Sequence, residues 1–396
     1  MLSKELILKL FDLFNMKRWN DYVTPVPLME MDKQAHKMIV AYLIAKIEEN
    51  EFGAEIDYEL LIEGAIIETL HRSLLTDLRP SVSYQLMKEK KHELNVWIVK
   101  QLMPMLDPAI LSYERVMQYL GQDEFAKKEK EILASAHFLS TLWEFQIVEA
   151  NNQFSTRLKS AKKEIDSKYI EFSSIPSVKR ILLDSELMEF IGVTAELRFQ
   201  ERWAQAMRVP KTNVLGHMYF VAMESFFVSK KMQFCSKRIY NNFFVSLFHD
   251  LPEVMVRDIA SPIKSGIEGL EHIVKEQEKR EMEENIYPLL PEYMLQEFKY
   301  FIEDEFSNRI VRDGEIVKLQ ISDMEPVEIN KNELSPVDGK LLKWCDDVSA
   351  YLEATLSIEY GITSKQLRMA RQKIVRKYEQ VEFKGEKLAD FFELFE

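Results

Sequence analysis

Residues able to hold a metal ion occur at three places in this chain. His249 and Asp250 stand side by side at the end of an apolar run, Phe243, Phe244, Val245, Leu247 and Phe248. His217 lies 32 residues before His249, and the doublet Asp346-Asp347 begins 97 residues after it on another amphipathic stretch. Two imidazoles and two carboxylates suffice for one divalent ion. Mixed nitrogen and oxygen donors suit Mn, Fe, Co, Ni or Zn better than Ca or Mg. Such a centre lowers the pKa of bound water and offsets the charge of a phosphate ester. The chemistry predicted from His217, His249, Asp250 and Asp346 is therefore hydrolysis of a phosphoester. Asp347 is expected to be a solvent-side neighbour, although register alone leaves open which carboxylate of the doublet binds.

The elements that must position these groups read as helices. Apolar residues recur at helical spacing, as in Ile39, Tyr42, Leu43 and Ile47, or Leu60, Leu61, Ala65 and Ile66. Only 11 glycines and 13 prolines interrupt 396 residues, which favours long helices over many tight turns. Strand-like alternation is confined to residues 310–330, where Val317, Leu319 and Ile321 alternate with polar residues and Asp313-Gly314 marks a turn. A small β-hairpin inserted between helices is expected there. The charge run at 275–284 reads as a solvated helix face. The fold class predicted is all-α.

Composition bounds the partners. A net charge of −13 disfavours non-specific nucleic-acid binding, which rests on many Lys and Arg contacts to phosphates. A small anionic substrate needs only a local positive site. Two cysteines, Cys235 and Cys345, make no disulfide framework and fit a reducing cytoplasm, the expected location. No apolar run approaches the roughly 20 residues that span a membrane. The first 19 residues are amphipathic but carry Glu5 and Asp12, so they read as a folded helix rather than a signal peptide.

The chain also answers itself. Arg18-Trp19 resembles Arg202-Trp203, Val26-Pro27 resembles Val209-Pro210, and the stretch from Leu139 to Glu144 resembles that from Val348 to Glu353. Offsets that change only by insertion fit a duplicated helical domain, with a boundary in the stretch from Ser173 to Val178. The expected units are 1–172 and 178–396. In this reading His36 answers His217, Glu68-Thr69 answers His249-Asp250, and Ala136 or His137 answers Asp346. The first unit would then lack most of the ligands and bind no catalytic metal. A pseudo-dimeric monomer or a homo-oligomer is the expected assembly.

Taken together, Arg202-Trp203, Asn213 to His217, His249-Asp250-Leu251-Pro252-Glu253, Asp258 to Lys264 and Asp346 before Ser349-Ala350-Tyr351-Leu352 resemble the HD-domain metal-dependent phosphohydrolases, and within them the bacterial 5'-deoxyribonucleotidase branch. The full motif set covers roughly residues 185–390, and residues 1–172 resemble a degenerate copy. The resemblance implies two HD-like helical bundles in tandem. It implies one divalent transition metal ion held by His217, His249, Asp250 and Asp346. It also implies that Arg202 contacts the substrate phosphate, that Trp203 lines the sugar site, and that Glu253 and Asp258 are catalytic or substrate-orienting acids.

Arg202 offers the planar fork that binds phosphate bidentately. Lys264 is a further candidate for phosphate binding. Glu253 would share the face of His249 on a regular helix and sit close enough to handle a proton, but Pro252 disfavours an unbroken helix there. Single histidines on apolar helices usually satisfy a core role, which is the expectation for His36, His71, His92, His137 and His272. The function predicted is a 5'-nucleotidase acting on deoxyribonucleoside or ribonucleoside monophosphates. The alternatives are a deoxynucleoside triphosphohydrolase or phosphodiesterase using the same site, or a nucleotide-sensing regulatory protein.

Overall fold

The computed structural model describes residues 3–75, 78, 80–257 and 269–395. The architecture is all-α, as the periodicity predicts, with only small antiparallel sheets. Two central helices carry most of the organisation: α2, Glu30–Glu51, and α10, Val214–Lys231. In α10 every residue from Val214 to Ser229 is buried. A helix apolar on all sides must lie inside the protein, and this one packs against α2, α11 (Ser236–Phe248) and α15 (Gly339–Glu359). In the same way α2 packs against α6, Lys127–Asn151. α3, Tyr58–Leu75, follows α2, and α9, Ser185–Glu196, leads toward α10.

The crossing of α2 and α10 is close at one point. The Gly216 N–H donates to Asp32 Oδ1 at 3.0 Å, and Asn213 Nδ2 donates to Asp32 Oδ2 at 2.8 Å. A Cβ at Gly216 would stand 2.8 Å from Asp32 Oδ1 and 2.9 Å from Phe14, so only glycine permits this approach. Burial pushes the Asp32 carboxyl up to about 6, against the pull of Arg198 and the Asn213 and Gly216 donors.

One contiguous apolar cluster runs from Leu6 to Phe395 and includes side chains from both central helices. α7 spans Leu158–Phe172, and α8, Pro176–Leu182, begins with proline at its first position, where the missing N–H costs nothing.

The hairpin falls where the alternation puts it. β3, Asn308–Arg312, pairs antiparallel with β4, Glu315–Lys318, through Asp313 and Gly314, both at positive φ. Two left-handed residues in sequence are what a tight two-residue hairpin needs. β3 also pairs with β5, Val337–Asp338, at the entry to α15. Asp338 is fixed by Arg238 and Asn242 of α11: Arg238 Nε lies 2.7 Å and Asn242 Nδ2 2.8 Å from Asp338 Oδ2. This buried pairing ties the start of the Asp346 helix to the helix that ends at His249. Among the described residues no helix is long and apolar enough to cross a membrane.

Candidate metal centre

Three helices bring the predicted donors together. His217 lies in the first turn of α10, His249 caps the C-terminus of α11, and Asp346 lies at the start of the third turn of α15. His217 Nε2 is 3.1 Å from Asp346 Oδ1 and 3.6 Å from Asp250 Oδ2. His249 Nε2 is 3.2 Å from Asp250 Oδ2 and 4.0 Å from Asp346 Oδ1. The two rings sit 5.2 Å apart, centre to centre. His217, His249 and Asp250 offer ligand atoms within 4.8 Å of one another.

The other ring nitrogens fix the orientation. His249 Nδ1 lies 2.7 Å from the Ser246 carbonyl oxygen, which only accepts, so Nδ1 carries a proton. His217 Nδ1 lies 3.0 Å from Ser349 Oγ. Both Nε2 atoms are buried without a hydrogen-bond partner. Two orphaned imidazole nitrogens that converge on two carboxylates are a donor set suited to a divalent transition metal ion. The imidazoles are buried, while the Asp250 and Asp346 side chains keep 19% and 13% exposure, so the centre opens to solvent on its carboxylate side.

Charge is tightly coupled here. Burial opposes ionisation of Asp346 and Asp250, yet Lys343 and the imidazoles hold Asp346, and His249 and His217 hold Asp250, well below the usual carboxylate range. Burial pulls His249 down, but Asp250 beside it wins and raises it to about 8. Burial and Arg202 lower His217. The two carboxylates of the acidic doublet face different ways. Asp347 turns away to Lys343 at 3.3 Å, to Tyr378 at 2.7 Å and to Lys377, whereas Asp346 faces the imidazoles and takes Lys343 Nζ on its second oxygen at 2.5 Å.

Arg202 and Trp203 border the centre. Arg202 Nη1 is 3.5 Å from Asp250 Oδ2, and its Nε is 3.3 Å from Glu353 Oε1. Trp203 Nε1 donates to Glu353 Oε2 at 2.7 Å. Thr212 Oγ1 also bonds to Glu353, and Arg208 lies 3.9 Å away. Burial works against the Glu353 carboxylate, but Arg202 and Arg208 outweigh it and hold the group down to about 2. Glu353 and Ser349 escaped the sequence reading of roles, although both stand in the stretch from Val348 to Glu353 singled out as a repeat. Phe306, beside the hairpin, packs 5.8 Å from the His249 ring and takes Lys343 over its face.

Glu253 is buried and opens a four-residue helix, α12, Glu253–Val256, after a turn at 249–252. The helix therefore restarts at Pro252 instead of continuing from α11, as proline predicts. Gln200 Nε2 holds this restart through the Glu253 carbonyl at 2.9 Å. Asp258 and Lys264 lie outside the described residues. Of the histidines expected in core roles, His36 is buried with Nε2 3.0 Å from the Ile191 carbonyl oxygen.

Residues 194–375 match the model of one protein family, described as HD domain. That match supports the HD-domain family for this stretch of chain. It contains His217, His249, Asp250 and Asp346, with Arg202, Trp203 and Glu353, and supports metal-dependent phosphohydrolase chemistry as a class. Among curated proteins no relative matches the chain.

Proposed function

We propose that the protein is a metal-dependent 5'-nucleotidase acting on nucleoside monophosphates, with the deoxyribonucleotides as its preferred class. The observation that carries this reading is the pair of orphaned Nε2 atoms of His217 and His249 facing Asp250 and Asp346, with the Arg202 guanidinium beside them. When bound there, a divalent ion supplies an activated water and offsets the charge of a phosphate ester. Arg202 receives the phosphate through its planar fork, held in place through Nε by Glu353. Glu253 is the proposed acceptor for the proton of the attacking water. Trp203, pinned by its indole N–H, forms the wall against the sugar and crowds a 2'-hydroxyl.

A monophosphate fits the charges better than a triphosphate. Around the centre Lys343 is paired with Asp346 and Asp347, and Arg208 is buried against Thr212, at 2.6 Å, and Glu353. Neither is left for additional phosphates. The site and the absence of disulfides or a spanning helix among the described residues are in keeping with a cytoplasmic enzyme. The test is phosphate release from a panel of ribo- and deoxyribonucleoside mono- and triphosphates by manganese-supplemented protein, with Asp250→Ala as control. Release from deoxyribonucleoside monophosphates that the variant loses supports the reading. Release confined to triphosphates, or equal release by the variant, rejects it.

A further inference from the structure

The bonding around Arg18 and Trp19 repeats that around Arg202 and Trp203. Arg18 Nε and Trp19 Nε1 both donate to Glu144 Oε2 at 2.9 Å, as Arg202 and Trp203 donate to Glu353. Both tryptophans have positive φ, 56° and 59°. Lys17 pairs with Met29 as Glu201 pairs with Asn213. The Glu30 N–H donates to Met16 O at 2.8 Å as the Val214 N–H donates to Gln200 O at 2.9 Å. Each of these pairs before Glu144 differs by 184 positions.

The following helices start alike. The Leu61 N–H donates to Asp57 O in the first turn of α3, and the Ile239 N–H to Cys235 O in the first turn of α11, a difference of 178. On these registers His217 falls on Lys33, His249-Asp250 falls on His71-Arg72, and, by the glutamates 209 apart, Asp346 falls on His137. This corrects the sequence pairing of His36 with His217 and of Glu68-Thr69 with His249-Asp250. Asp32 and Gly216, equated by the same register, touch each other, as residues on an axis relating two copies must.

We propose that the first half is a duplicate in which the chain's own side chains fill both the metal position and the phosphate position. The Lys33 amine replaces an imidazole and is committed to His137 O at 2.8 Å and Thr141 Oγ1 at 2.6 Å. The Arg72 guanidinium replaces Asp250, putting a fixed positive charge where a cation would need an anion. Glu30 replaces the apolar Val214 and supplies the anion. Its Oε2 takes Arg18 Nη1 at 3.0 Å and Arg72 Nε at 3.2 Å. Arg18 is thus neutralised by a carboxylate of the chain on the side where Arg202 faces Asp250 in the second half. The ligand set is reduced to two imidazoles, and the pocket is filled by permanent ion pairs that need neither ion nor substrate.

Two measurements test this in the full chain carrying His217→Ala and Asp250→Ala, so that the second half is silent. In the first, Co2+ is added, and bound metal is read by elemental analysis and by visible absorption. The parent is expected to retain none. The further changes Lys33→His, Arg72→Asp and His137→Asp are expected to restore about one equivalent with the absorption of a protein-bound ion. One equivalent in the parent, or none in a revertant whose far-UV circular dichroism is unchanged, overturns the assignment. In the second, inorganic phosphate is titrated calorimetrically. Glu30→Gln, which removes the carboxylate charge shared by Arg18 and Arg72, is expected to bind at least about tenfold more tightly than the parent. Equal affinity overturns the assignment of Glu30 to the phosphate position.

Discussion

Glu353 is where residue chemistry and substrate recognition meet. Its buried carboxylate fixes the directions of Arg202 and Trp203. Glu353→Gln keeps the shape and removes the charge that balances Arg202 and Arg208. The expected outcome is a KM for the proposed nucleotide substrate raised by about tenfold or more, with unchanged metal content, because misplacement rather than lost chemistry is the defect. Steady-state kinetics beside elemental analysis checks this. Ser349 acts on the metal side. Removing its oxygen with Ser349→Ala leaves His217 Nδ1 without a partner, and metal affinity is expected to fall about 10–100-fold, measured by competition with a chelating dye.

That His217, His249, Asp250 and Asp346 would come together was legible in the sequence because few residue types bind transition metals. Ser349 and Glu353 were not legible as supports, since a serine and a glutamate on a helix carry no spacing signal of their own. Lys33 was hidden for a different reason. Between the positions of His217 and His249 the first half holds six more residues, in α2 and its loop, so alignment on the nearest histidine chose His36.

At the scale of elements, the centre depends on helices held at fixed distances. Gly216→Ala would push a methyl into Asp32 and Phe14 at the α2–α10 crossing, and a loss of about 1–3 kcal/mol in unfolding free energy is expected. Denaturant titration reads it, and an unchanged midpoint would show that the helices yield without cost. A second tie lies where α14, Glu292–Ile302, meets α2 and α11. Glu297 takes Lys46 at 2.6 Å and Lys237 at 3.0 Å, with the Tyr240 hydroxyl at 2.7 Å. Burial would raise this carboxyl, but the two lysines lower it from 4.5 to about 2. Its contribution is therefore present above about 4.5 and lost as pH falls toward about 2. The stability difference between wild type and Glu297→Gln should shrink across that window in urea titrations. A difference independent of pH would mean the ion pairs contribute nothing.

Helices and hairpin were readable from apolar period and from Asp313-Gly314. The buried pairing of Arg238 with Asp338, which sets where α15 begins, was not, because its partners lie 100 residues apart and neither interrupts the pattern.

For the whole molecule, the continuous apolar cluster joins two halves that the sequence suggested were separate units. A shared core predicts that they unfold together. Tryptophan fluorescence and far-UV circular dichroism should give one coincident urea transition, and two separated transitions would show independent units. The proposed duplication then divides labour: one half spends its buried charges on structure, and the other leaves two imidazoles and two carboxylates for chemistry.

That division rests on the second-half centre, and the most direct measurement is turnover of a generic phosphomonoester by metal-stripped protein during titration with Mn2+. Activity is predicted to rise from zero, to saturate near one ion per chain, and to be absent at every metal concentration in His249→Ala. Full activity in the stripped protein, or activity retained by His249→Ala, would contradict the account.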